Sequence, residues 1–233
     1  MSGPNSDRKT STLRLILVPG LISLCVTLLR LAGEVRHWSP KWFSTETGGT
    51  LPGSPYGWVV GITWMAIPFG AYFALKLSDP AAKVPPTAWR AAWAAAGVIV
   101  MYGSPFLLSS IPLRFPGILV PIWLFAVIAA LLQYVAWPGL FKILLAYGFA
   151  ARIPVVIVMF FAMNGNWGTH YDYVGMPPRF AMPPWPRFLW LAFFPQLIFW
   201  VGFTIMAGSF AGVVATAFRP KRRKIAADAA STD

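Results

Sequence analysis

The sequence predicts an all-α integral membrane protein, a polytopic bundle of about six transmembrane helices with two long outer loops. Three observations lead there. The chain is 57% hydrophobic and 11% charged, whereas soluble domains are about one-quarter charged. Its apolar residues gather in runs of about twenty, the length at which a helix rising about 1.5 Å per residue crosses a hydrocarbon core of about 30 Å. Its 19 basic and 7 acidic residues sit almost entirely at the edges of those runs, where water or headgroups can solvate them.

The first run, residues 13–32, follows Arg8, Lys9 and Arg14. A basic start before the apolar stretch Leu15–Leu29 has the outline of a signal peptide. The Arg30-Leu31-Ala32-Gly33-Glu34 that follows is a poor cleavage site, so the segment reads as a retained first span. Further spans are expected at 57–77, 89–110, 117–137, 139–163 and 187–217. The last is long enough to tilt or to project beyond the membrane. This gives a cytoplasmic N-terminal segment (1–12), a six-helix domain (13–217) and a basic cytoplasmic tail (218–233).

The connections differ in length. Residues 33–56 and 164–186 form long loops rich in Gly, Pro and Trp, while 78–88, 111–116 and Pro138 are short links that favour antiparallel hairpins. The order long, short, short, long is not what two inverted repeats would give.

Orientation follows from the basic residues. With the N-terminus inside, the cytoplasmic set is Arg8, Lys9, Arg14, Lys76, Lys83, Arg90, Lys142, Arg219, Lys221, Arg222, Arg223 and Lys224, against Arg30, Arg36, Lys41, Arg114, Arg179 and Arg187 outside. This asymmetry places both termini in the cytoplasm of a bacterial inner membrane. The formal charge of +12 raises nucleic acid as a partner. The crowding of Arg219, Lys221, Arg222, Arg223 and Lys224 directly after a span points instead to anionic lipid headgroups. The tryptophans are expected as interfacial belts, with Trp38, Trp42, Trp58, Trp123, Trp167, Trp185 and Trp190 at the outer face and Trp89, Trp93 and Trp137 at the inner one. Cys25, alone in the chain, forms no intramolecular disulfide.

Arg152 is the sharpest functional candidate, because it falls near the middle of the fifth run. A charge there costs at least about 2.5–3.5 kcal/mol, and no span interior supplies Asp or Glu. Its remedies are carbonyls freed by prolines, the amides of Gln133 or Gln196, water, snorkelling, or a bound anion or lipid headgroup. Each span carries a proline (Pro19, Pro68, Pro105, Pro121, Pro154 and Pro195), so kinks and freed carbonyls are expected.

The two histidines, His37 and His170, fall on the same predicted face, with Glu34 and Asp172 close by in sequence. Two imidazoles and two carboxylates could hold a metal or supply acid–base catalysis. Solvated loop residues, with Glu34 paired to Arg30 or Arg36, are the commoner outcome. Arg30, Glu34 and His37 would share a stripe if the first helix continued outward. Small residues recur at helical spacing, at Gly57/Gly61, Gly70/Ala74, Ala91–Gly97 and Ala207/Gly208/Ala211/Gly212/Ala215, as faces for close helix contact.

No phosphate loop, dinucleotide fingerprint, HExxH or CxxC pair is present, and no motif implies a cofactor. The sequence therefore favours a non-catalytic membrane component that works through helix packing and outer-loop contacts in a homo- or hetero-oligomer. The alternatives are a transporter or channel-like protein for an anionic or lipidic solute, built on Arg152 and the kinked helices, and an outer-face enzyme or metal site using His37 and His170.

Overall fold

A computed structural model describes residues 12–45, 56–78, 84–173 and 181–218. The N-terminal segment before residue 12, and the tail cluster Arg219, Lys221, Arg222, Arg223 and Lys224, lie outside the described residues. Six helical segments follow one another: α1 (Thr12–Val35), α2 (Ala66–Leu77), α3 (Thr87–Leu108), α4 (Leu119–Ala136), α5 (Pro138–Gly165) and α6 (Pro184–Ala217). Five of them are long and apolar enough to cross a membrane, and α2 is shorter. The chain is an all-α, multi-pass integral membrane protein. Its outward-facing side chains agree: Ile99 is 70% and Phe106 81% exposed, an apolar surface suited to lipid.

The second segment departs most from expectation, being helical only from Thr63. Residues 56–62 run through successive tight turns, closed by Val59 N–H to the Tyr56 carbonyl and Gly61 N–H to the Trp58 carbonyl. Gly57 and Gly61 lower the helical preference of this stretch. A 3₁₀ turn at Thr63–Met65 leads into α2, so Pro68 falls in the first α-helical turn, where a missing N–H does little harm. Pro121 likewise sits in the first turn of α4, whereas Pro19, Pro105 and Pro154 lie inside their helices.

α6 is the hub of the bundle, packing against α2, α3, α4 and α5. Its small residues are used inside the chain. A Cβ on Gly70 would lie 2.3 Å from the Gly208 backbone, and one on Gly212 would lie 2.7 Å from Ala74. Gly202 approaches the Ala126 carbonyl of α4 in the same way. The main core, including Phe73, Leu140, Leu144, Tyr147, Val201 and Ile205, lies among α2, α5 and α6.

Two polar features are positioned by this packing. Gln133 bridges α3 and α4, donating to the Trp93 and Ala129 carbonyls at 3.4 and 3.2 Å. Arg90, expected at the membrane surface, is buried at the start of α3. It donates to Thr216 at the end of α6 and to Thr87, with its guanidinium 4.6 Å from the Trp137 ring centre. Trp137 and Trp123 are also buried, the latter stacked on Trp190 at 5.3 Å. These two tryptophans are packing residues, unlike the exposed Trp58, Trp89 and Trp185.

Candidate functional site

α5 carries Arg152 into the middle of the bundle, where the residue is 4% exposed. Its neighbours are set by two helix irregularities. Pro195 opens the second of two π-helical stretches of α6, Leu189–Phe193 and Pro195–Trp200. The wider turn accommodates the missing proline N–H and re-aims the side chains that follow. Gln196 thereby meets Arg152, accepting from Nη1 at 3.2 Å, and Trp200 presents its ring 5.0 Å from the guanidinium carbon. The 3₁₀ turn before α2 supplies Thr63, whose Oγ1 accepts from Nη2 at 3.2 Å.

Arg152 Nε is buried with no hydrogen-bond partner, and no carboxylate pairs with this arginine among the described residues. Of the partners expected from sequence, Gln196 is engaged, while Gln133 is committed to the α3–α4 contact. Beside the expected Gln196 amide, the Thr63 hydroxyl accepts from Arg152, and no carbonyl freed by a proline does so among the described residues.

A cavity of about 520 Å³ extends from Arg152 to Arg30 of α1 and to His170 in the turn after α5, a size within the usual range for small-molecule sites. Its walls are largely apolar or aromatic, with Trp58, Ile62, Trp64, Ile67, Val155, Met159, Trp200 and Phe203. Its polar residues are Thr27, Arg30, Thr63, Arg152, His170, Tyr171, Tyr173 and Gln196.

The upper wall is a second cluster, built by α1 and the loop after α5. α1 runs three residues past the expected span end, so Glu34, expected in a loop, is 1% exposed inside its last turn. Its carboxylate accepts from Arg30 Nε at 2.8 Å and from the His170 backbone N–H at 3.0 Å, and lies 2.7 Å from His170 Nδ1. Surrounded by donors, it is an ionised acceptor, which puts the imidazole proton on Nδ1 and leaves Nε2 open. Burial holds the His170 imidazole below its usual pKa, against the opposing pull of Glu34.

Asp172 shapes this loop instead of lining the cavity. Its carboxylate accepts from the Gly168 and Thr169 N–H groups and from Thr169 Oγ1, at 2.9, 2.7 and 2.9 Å. This capping box fixes the 3₁₀ turn His170–Asp172, and Arg187 donates to the Asp172 carbonyl. Tyr171 and Tyr173 are anchored by hydroxyl bonds to the Thr27 and Leu191 carbonyls. Burial raises both phenols, Tyr173 to about 12.

His37 does not join this site. It is exposed in the turn after α1, with φ 51°, and is not among the cavity's lining residues. The stripe from Arg30 through Glu34 to His37 breaks because the helix ends at Val35. No three His, Cys, Asp or Glu side chains converge as metal ligands among the described residues.

Sequence reasoning treated Arg152 and the His170 group as separate candidates; the fold makes them two walls of one cavity. The participation of Thr63, Trp200 and Tyr171 was missed. The only advance signal was Arg152 itself, since a charge in an apolar run requires polar or aromatic company from elsewhere. The chain matches no protein-family model, no curated protein and no solved structure.

Proposed function

We propose that this protein is a transporter or channel-like protein for an anionic, partly apolar solute, which it takes into the cavity around Arg152. One observation carries the reading: a guanidinium buried in mid-bundle, with neutral partners alone among the described residues and an unsatisfied Nε, lines an accessible cavity. Arg30 and Glu34 cancel one another, so Arg152 leaves the cavity with one uncompensated positive charge. An anion entering this low-dielectric space supplies the missing counter-charge. The aromatic and aliphatic walls favour a solute with an apolar portion.

The assembly reading is supported less, because the small-residue face of α6 is taken up by α2 within the same chain. The acid–base reading retains His170 and Glu34 but loses His37.

We place the cavity mouth on the outer face of a bacterial inner membrane, with both termini cytoplasmic and the tail cluster against anionic headgroups. The distribution of basic residues supports this orientation.

The test uses hexyl sulfate, a fixed-charge anion with a short apolar chain, and hexanol as its neutral counterpart. Hexyl sulfate is expected to raise the Tm of the purified protein where hexanol does not, and Arg152→Gln is expected to abolish the rise. Equal stabilisation by the two compounds, or full stabilisation of the variant, would remove the proposal.

A further inference from the structure

We propose that anion binding in this cavity is linked to the uptake of one proton by His170, with Glu34 positioning the imidazole to receive it. The inference rests on the anion-binding reading above and adds a coupling to it. It begins from the geometry of the upper wall. His170 lines the same cavity as Arg152, its Nδ1 and backbone N–H are both held by the Glu34 carboxylate, and Tyr171 packs on its ring at a centroid distance of 3.9 Å. The ring therefore has one fixed orientation, and Nε2 is its remaining site for a proton.

The charged and titratable groups facing His170 are few. Arg30 and Glu34 come from α1, and Asp172 and Tyr171 from its own turn. Arg30 opposes protonation, while Glu34 and Asp172 assist it; Asp172 is already engaged by three donors. Burial decides the balance in the empty cavity and keeps the imidazole neutral near pH 7.

An anion changes that balance. It brings negative charge to the wall that His170 shares, and it offers an oxygen that a protonated Nε2 can donate to. A proton from bulk water then adds to Nε2 while Nδ1–H stays on Glu34, so the imidazolium is held between a carboxylate and the anion. Charge counting points the same way. With Arg30 and Glu34 cancelling, the neutral-His170 cavity matches a single negative charge through Arg152, and the protonated one matches two. By linkage, what raises the proton affinity of His170 must be tightened in turn by protons. A coupling of this kind is what a transporter needs to draw an anion inward with a proton. The buried Glu34 supplies the acidic partner that the span interiors otherwise lack.

The experiment measures hexyl sulfate binding to the full chain in lipid nanodiscs by isothermal titration calorimetry. Its charge does not change between about pH 5.5 and about pH 8, so any proton taken up belongs to the protein. Titrations near pH 7 in two buffers of different ionisation enthalpy are expected to reveal net proton uptake, up to one per anion. The Kd is expected to tighten several-fold as pH falls from about 8 to about 6, within the limit of about tenfold per pH unit for one proton. His170→Gln is expected to bind with a Kd that no longer follows pH. Glu34→Gln, which keeps the ring's neighbour but removes its charge, is expected to move the pH midpoint downward. Binding without proton uptake by the wild-type protein would overturn the coupling and leave the anion site standing. The same pH slope in His170→Gln would overturn the assignment to this residue. Absence of hexyl sulfate binding at every pH would instead defeat the anion-binding reading itself, and the coupling with it.

Discussion

Gly70 of α2 and Gly208 of α6 meet backbone to backbone, so closely that a Cβ on Gly70 would lie 2.3 Å from the Gly208 Cα and carbonyl oxygen. This crossing holds the short α2 against the hub helix. It thereby fixes the 3₁₀ turn at the start of α2 that carries Thr63 to Arg152. Gly212 against Ala74 and the fully buried Phe73 hold the same twelve-residue helix further along.

Gly70→Ala is therefore expected to cost about 1–3 kcal/mol, since the methyl group meets backbone that cannot turn away. Gly103→Ala, on the same scale, is expected to be neutral or stabilising by about 0.5–1 kcal/mol. A Cβ there meets nothing within 4 Å, and alanine is the better helix former. Thermal unfolding of the two variants in one detergent separates them. Similar losses for both would mean that the α2–α6 crossing is looser than its geometry indicates.

Arg152→Met is expected to leave the ligand-free protein as stable as the wild type or more so, while abolishing its stabilisation by hexyl sulfate. The reason is that Arg152 is a buried charge without a carboxylate among the described residues, and replacing such a charge with an apolar side chain of similar length relieves desolvation. A structural arginine behaves in the opposite way, with a loss of about 3–5 kcal/mol when a buried charged pair is broken. Unfolding of the variant without ligand distinguishes the two roles, and a large loss would return Arg152 to a structural one.

The outline of the bundle was legible in the sequence because apolar runs and their charged edges depend on local composition alone. The helix ends were legible to within a few residues in five of six cases, and the exception is instructive. Residues 57–62 are apolar enough to span, but their turns depend on Gly57, Gly61 and the Trp64 indole N–H bonded to the Val59 carbonyl, which hydropathy does not register. At the site, Arg152 and Gln196 were legible as a charge and an amide inside apolar runs. Their meeting required the π-helical turns around Pro195, which no periodicity announces. Glu34 and His170 lie 136 residues apart, and joining them took the packing of α1 beside α5. Gln133 shows the converse: an amide of the same type, spent on two carbonyls of a different helix pair.

Asp172→Ala is expected to cost about 0.5–2 kcal/mol, the usual range for losing a capping side chain. It is also expected to weaken hexyl sulfate binding. Its carboxylate holds three donors of the loop, and the turn that it closes sets the height of His170 and Tyr171 on the cavity wall. The two effects are read from thermal unfolding and calorimetry of the same preparation. A variant less stable but with unchanged affinity would show that the loop keeps its shape without the cap.

The pH dependence of stability offers an independent check on His170. In the folded, empty protein its imidazole is held below the ordinary value by burial, with Arg30 adding to the effect and Glu34 and Asp172 opposing it. The unfolded chain takes up the proton near the ordinary imidazole value, about 6.5, and the folded protein only at lower pH. The unfolded state thus binds more protons across that window, and stability falls as pH falls through it. Wild-type Tm is expected to be level above about pH 7 and to decline from about pH 6.5 toward about pH 5.5, a decline that His170→Gln reduces. Saturating hexyl sulfate is expected to flatten the same decline, because the bound anion raises the proton affinity of the folded state toward that of the unfolded one. A wild-type decline that neither the variant nor the anion alters would assign this part of the pH dependence to groups other than His170.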